Sequence, residues 1–97
     1  MNIMAKEYPM TYEEYEKKVI EIFLKRFDTK DQEKALEKVT ELLEKEPNFI
    51  RGSYGQSCFL YDRPDIFGEN CKRAFEDDKI DSIAVNTLDM FLGGELD

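Results

Sequence analysis

Apolar residues recur at every third or fourth position in two long stretches of the chain. Tyr12, Tyr15, Val19, Ile22, Phe23 and Phe27 make the first stripe, and Ala35, Leu36, Val39, Leu42 and Leu43 make the second. That step follows the turn of an α-helix, so each stretch is predicted to be an amphipathic helix with one buried face. Thr11 with Glu14, and Thr29 with Gln32, stand at the spacing of a capping box. There the hydroxyl accepts from an orphan backbone amide and the longer side chain reaches back to the cap, so the two pairs place the two helix starts. Pro47 stops the second helix, because it lacks an N–H and its ring clashes with the preceding turn. Glu13 with Lys17, Glu14 with Lys18 and Glu21 with Lys25 are set for favourable i,i+4 pairing on the polar face. Short connections join antiparallel neighbours, so residues 11–46 are expected to form a helical hairpin that buries the two stripes against each other.

After Pro47 the pattern weakens. Phe49, Ile50, Tyr54, Cys58, Phe59 and Tyr61 return near helical spacing, but Gly52 and Gly55 fall among them. A glycine inside a helix costs about 1 kcal/mol relative to alanine. The segment is read either as a third helix whose glycines let a neighbouring backbone approach, or as two short helices with a break. Asp62-Arg63-Pro64-Asp65 has the chemistry of a turn, and Ile66 and Phe67 are expected to anchor it. A short helix is predicted over Asn70 to Phe75. In the last helix Asp81, or alternatively Asn86, is the expected cap. Ile83, Ala84, Leu88, Phe91 and Leu92 share its face, and Gly93 takes the left-handed position that ends it. No segment alternates β-branched with polar residues as a strand would. The expected fold is all-α: one small domain over residues 11–97, an N-terminal antiparallel helical hairpin plus two or three shorter C-terminal helices, with residues 1–10 as a loose leader.

Charge changes the picture from fold to surface. The chain carries a formal net charge of -8, distributed unevenly: residues 1–30 hold six cations and six anions, and residues 61–97 hold four cations and ten anions. No long apolar run follows a basic N-terminal segment, so the chain is expected to be soluble and cytoplasmic, with no membrane span. In a reducing compartment Cys58 and Cys71 are expected to remain thiols.

Candidate chemistry narrows quickly, since histidine is absent. Ser-His, Cys-His and histidine-ligated metal chemistry go with it, and two cysteines are too few for a tetrathiolate zinc site. Neither Asp62 to Gly68 nor Asp77 to Ser82 meets the pattern of a calcium loop. Gly52-Ser53-Tyr54-Gly55 resembles the backbone-clamping loop of KH domains in its glycines, but no cation lies between them. No catalytic, cofactor or metal site is expected, and the chain is read as a binding protein rather than an enzyme.

The stretch Ser53 to Gly94, through Tyr54-Gly55, Cys58, Tyr61-Asp62, Val85-Asn86-Thr87-Leu88 and Gly93-Gly94, resembles small uncharacterised acidic proteins of Gram-positive bacteria and their mobile elements. The resemblance brings no active residues with it. In size and charge the chain also resembles anti-CRISPR and anti-restriction proteins of phage and mobile elements. That likeness implies an inhibitor docking on a basic, nucleic-acid-binding surface of a partner protein and not binding nucleic acid itself.

The acidic third supplies the expected contact set: Asp62, Asp65, Glu69, Glu76, Asp77, Asp78 and Asp81. Clustered carboxylates steer a cationic partner and repel nucleic acid. The alternative is a structural or regulatory subunit acting through an apolar patch, with Tyr54, Phe59, Tyr61, Ile66 and Phe67 as its aromatic core. Exposure of two or more of these rings in the monomer favours the second reading.

Overall fold

The computed structural model describes residues 8–96, Glu95 by its backbone alone, so residues 1–7 of the expected leader and Asp97 lie outside the described residues. Every regular element among those residues is helical. Helix α1 spans Tyr12–Leu24 and starts at the predicted capping box. The Glu14 amide donates to Thr11 Oγ1 at 3.2 Å and the Thr11 amide to Glu14 Oε1 at 2.8 Å, which satisfies two of the backbone donors that a helix start leaves without partners.

Helix α2 spans Thr29–Lys45, and its cap is Asp28. The expected Thr29–Gln32 box does not form: Thr29 is already helical, and the Gln32 side-chain amide donates instead to the Phe27 carbonyl at 3.2 Å. Helix α3, Phe49–Asp62, runs unbroken through both glycines. Pro64 opens the short helix α4, Pro64–Phe67, in the first turn, where a missing N–H leaves no hydrogen bond unmade. Gly68 ends it at φ 61° and ψ −142°, a conformation essentially reserved for glycine. A 3₁₀ segment over Gly68–Arg73 then takes the place of the α-helix expected from Asn70 to Phe75.

The last part of the chain is a continuous helical run: α5 over Asp77–Ile80, a π segment over Asp81–Val85, and α6 over Asn86–Leu96. The Asn86 amide reaches back to the Asp81 carbonyl, one residue further than an α-helix bond. The extra residue per turn lets the adjacent Ala84 and Val85 both face inward, and both are buried. Asp81 and Asn86 are therefore not caps. Their side chains instead accept from Arg26 Nη2 at 2.9 and 2.6 Å, which ties the end of α1 to the π segment. Nor does Gly93 end a helix: α6 continues to Leu96, and Gly68 holds the positive φ among the described residues.

Tyr15, Val19 and Phe23 from α1 meet Ala35, Val39 and Leu42 from α2, Ile50 from α3, and Ile80, Ala84, Val85, Leu88 and Leu92 from the C-terminal run. Burying one such large side chain contributes roughly 1.5 to 3 kcal/mol. Helix α1 packs on α2 and α3 but most extensively on the π segment, while α2 packs on α1 and α6. The two N-terminal stripes thus close on the C-terminal helix as well as on each other, which the hairpin expectation did not include. Leu36, placed in the α2 stripe by its spacing, stays 43% exposed. Tyr8 and Met10, expected to belong to a loose leader, pack against the core.

Candidate functional site

Helix α3 has two unlike faces. Inward, the Tyr54 ring sits 5.1 Å from Tyr15 and 5.7 Å from Tyr12, centroid to centroid, and its hydroxyl donates to the Met10 carbonyl at 2.9 Å. Tyr61 packs edge-on against Tyr8 at 5.8 Å and Phe75 at 5.7 Å. Between them the buried Ser57 hydroxyl shares a 2.9 Å hydrogen bond with the Tyr15 hydroxyl. Two members of the expected aromatic patch, Tyr54 and Tyr61, are thereby committed to the domain's own core.

Outward, the same helix presents Gly52 and Gly55. Outside its own turn of helix, a Cβ added at either would meet no atom of the described residues within 4 Å, so neither glycine is there to admit a described neighbouring helix of this domain. The close-packing expectation fails inside the molecule. What the glycines floor is an apolar groove of about 510 Å³, to which α3 also contributes Gln56, Phe59 and Leu60, with Phe67 and Ile83 closing it. Phe59 remains 51% exposed although its ring meets Phe67 edge-on at 6.1 Å. Ile66, next to Phe67 in the chain, is 55% exposed. Ile83 belongs to the π segment, so the groove joins two irregular features: glycines within a helix, and a π turn of the kind that occurs frequently at functional sites. Spacing revealed the glycines and the aromatics. Spacing set Ile83 on the shared apolar face of the last helix with Ala84 and Leu88, whereas in the π segment Ile83 is half-buried and lines the groove.

The expected acidic contact set is largely engaged within the molecule. Asp62 accepts from the Tyr8 hydroxyl at 2.7 Å. Arg63 forks onto both oxygens of Asp65 at 2.9 and 2.6 Å and holds that carboxyl below its ordinary pKa through these hydrogen bonds. Arg73 gathers Glu76 at 3.0 Å and Asp78 at 2.8 Å, and Arg26 gathers Asp81 at 2.9 Å and Asp89 at 3.4 Å. Asp77 lies 3.7 Å from Lys18. Exposed pairs of this kind are worth about 0 to 1 kcal/mol each, so they do little for stability. They do dilute the negative field at these positions. Asp65 and Glu69, both exposed, each lie two residues in the chain from the groove residue Phe67, and Asp65 is the one paired with Arg63.

Other polar chemistry is quiet. Tyr8 is pushed up to about 12 by its hydrogen bond to Asp62, and Tyr12 to about 12 by burial. Both cysteines are free thiols, Cys71 is buried, and burial raises the pKa of Cys58, the opposite of what an activated thiolate needs. Among the described residues no three His, Cys, Asp or Glu side chains converge as a metal set, and no helix is long and apolar enough to cross a membrane. A second depression of about 330 Å³ lies between α2 and α6, where Lys38, Glu41, Lys45 and Glu46 surround Leu42, Phe91 and Leu92. Its charged rim and lack of any glycine floor set it apart from the groove beside α3. No protein-family model, curated protein or solved structure matches the chain.

Proposed function

We propose that the chain is a protein-binding module that receives its partner in the apolar groove beside α3. One observation carries the reading. Gly52 and Gly55 each forgo about 1 kcal/mol of helix stability without meeting anything in their own domain, and they open a groove flanked by an exposed phenylalanine. Exposed aromatics over a concave apolar surface are the usual anchor points of protein interfaces. A small-molecule site is less well supported, because such sites bring several polar groups together, and among the described residues Gln56 is the sole polar side chain lining this one.

The reading favours the aromatic patch over the acidic face, with Phe59, Ile66 and Phe67 as contacts. The net charge of -8 supports the acidic face as a second reading, in which the chain inhibits a nucleic-acid-binding partner by occupying its cationic surface. Affinity capture with the native chain and with Gly55→Leu in parallel separates the two. A Cβ at Gly55 meets no described atom within 4 Å, so the leucine side chain enters the groove from open space, and a partner retained by the native chain and lost by the variant, whose fold is checked by its helical spectrum, is the expected result. A partner that ignores Gly55→Leu but is lost on Glu69→Lys belongs to the acidic face and overturns the groove.

A further inference from the structure

We infer that the occupant of the groove is a second copy of this chain, its α3 lying antiparallel on the first across a two-fold axis. This rests on the groove being the binding surface. The face carries both halves of its own complement. Phe59 is a half-exposed knob, and at Gly52 and Gly55 an added Cβ would meet no atom of the described residues within 4 Å, so knob and hollow lie on one helix. Turned end for end, the four α3 positions at the outer face of the groove map onto one another, Gly52 onto Phe59 and Gly55 onto Gln56. Each pairing sets the larger side chain against a glycine, and each contact occurs twice, which is the condition for an isologous interface. The missing β-carbons let the two backbones come close.

The polar and charged groups fit the same occupant. Gln56, the sole polar side chain lining the groove among the described residues, falls beside the two-fold axis in this pairing. Its amide both donates and accepts, so two copies facing each other across the axis satisfy one another through reciprocal N–H···O=C bonds. A foreign helix would have to bring an amide and an aromatic ring in this same order. A second copy brings both. The lining is uncharged, and the Arg63 guanidinium, 5.5 Å from the Phe59 ring centre, is forked onto Asp65, so the cation that the structure seats beside the groove is already neutralised. The acids that give each copy its net charge of -8 lie off the lining, where salt of about 0.15 M screens them over about 8 Å. The contact is one face of a 14-residue helix, about 21 Å long, which is smaller than the roughly 800 Å² per copy of a standard interface. The dimer is therefore reversible, with a dissociation constant of roughly micromolar order or weaker.

The test is sedimentation equilibrium of the native chain, up to about 1 mM, beside Gln56→Glu and Gly55→Leu, whose folds are checked by their helical spectra. The native chain should pass from monomer to dimer as its concentration rises. Raising salt from about 0.05 to 0.5 M should strengthen the dimer, because screening removes the repulsion between two acidic copies. Gln56→Glu sets two like charges at the axis and should weaken the dimer at least about tenfold. Gly55→Leu puts a side chain into the hollow opposite Gln56 and should weaken it comparably. A native chain that stays monomeric throughout overturns the second copy, while a different protein captured by the native chain and lost on Gly55→Leu would still uphold the groove. A monomer whose captured partner ignores Gly55→Leu takes the groove reading down with the inference. A dimer indifferent to both substitutions lies on another face and overturns the inference, and a dimer lost on Gly55→Leu but untouched by Gln56→Glu overturns the two-fold pairing.

Discussion

The two faces of α3 are built from the same helical turns and put to opposite uses. The inner face spends every position on packing: Ile50 and Ser57 are buried, and Tyr54 and Tyr61 are walled by aromatic rings. The outer face carries glycine at Gly52 and Gly55, where an added Cβ would meet no described atom within 4 Å, and leaves Phe59 half in water. A domain of this size has little stability to spare, so a face that gives up helix propensity and exposes apolar area is the informative one. The contrast teaches that an aromatic residue's position in the sequence does not say which use it serves. Tyr61 and Phe59 are two residues apart and lie on opposite sides of the decision.

The largest expected effect comes from the buried side. Phe23 has no exposed surface, and Phe23→Ala should cost about 3 to 5 kcal/mol in equilibrium denaturation. Phe59→Ala should cost about 1 kcal/mol at most, as expected for a half-exposed position. Equal losses at the two positions would erase the distinction between the faces.

Next in size is Gly68, the glycine with a conformational reason to be one. At φ 61°, Gly68→Ala should lose about 1 to 3 kcal/mol, in contrast to the glycines of α3. A neutral result in chemical denaturation would show that this turn relaxes freely.

A smaller effect concerns the phenols that anchor the inner face. The fold holds Tyr8 and Tyr12 in their neutral form, with pKa values raised from 10.0 to about 12. Their contribution is fully present below about pH 10 and is lost as the pH rises through about 12. The stability of the native chain should therefore fall across that interval, and Tyr8→Phe should fall less steeply. Parallel pH profiles of the two proteins would contradict the Tyr8–Asp62 latch.

Much of this architecture is legible in the sequence, and the rest is hidden for identifiable reasons. Thr11 and Glu14 announce α1 because a capping box is a local bond pattern set by spacing alone. The stripe of α1 is readable for the same reason, but its main partner is not, since it packs on a π segment some sixty residues later in the chain, an approximate separation, whose register follows from burying Ala84 and Val85 together. Asp81 looks like a cap until Arg26 is seen to bind it across the fold. The acidic third reads as a docking face because sequence shows the carboxylates and conceals that Arg26, Arg63 and Arg73 are folded onto them. Glycine composition likewise points to Gly93 as the left-handed residue, whereas the chain reversal after α4 assigns that conformation to Gly68.

If the outer face of α3 is kept open at the expense of helix stability, equilibrium denaturation of the Gly52→Ala, Gly55→Ala double variant will show it. Since neither new Cβ meets an atom of the described residues within 4 Å, the variant should be more stable than the native chain by about 0.5 to 1 kcal/mol per site. A loss of stability would mean that the domain itself needs those two glycines, and would contradict the groove as a surface reserved for a partner.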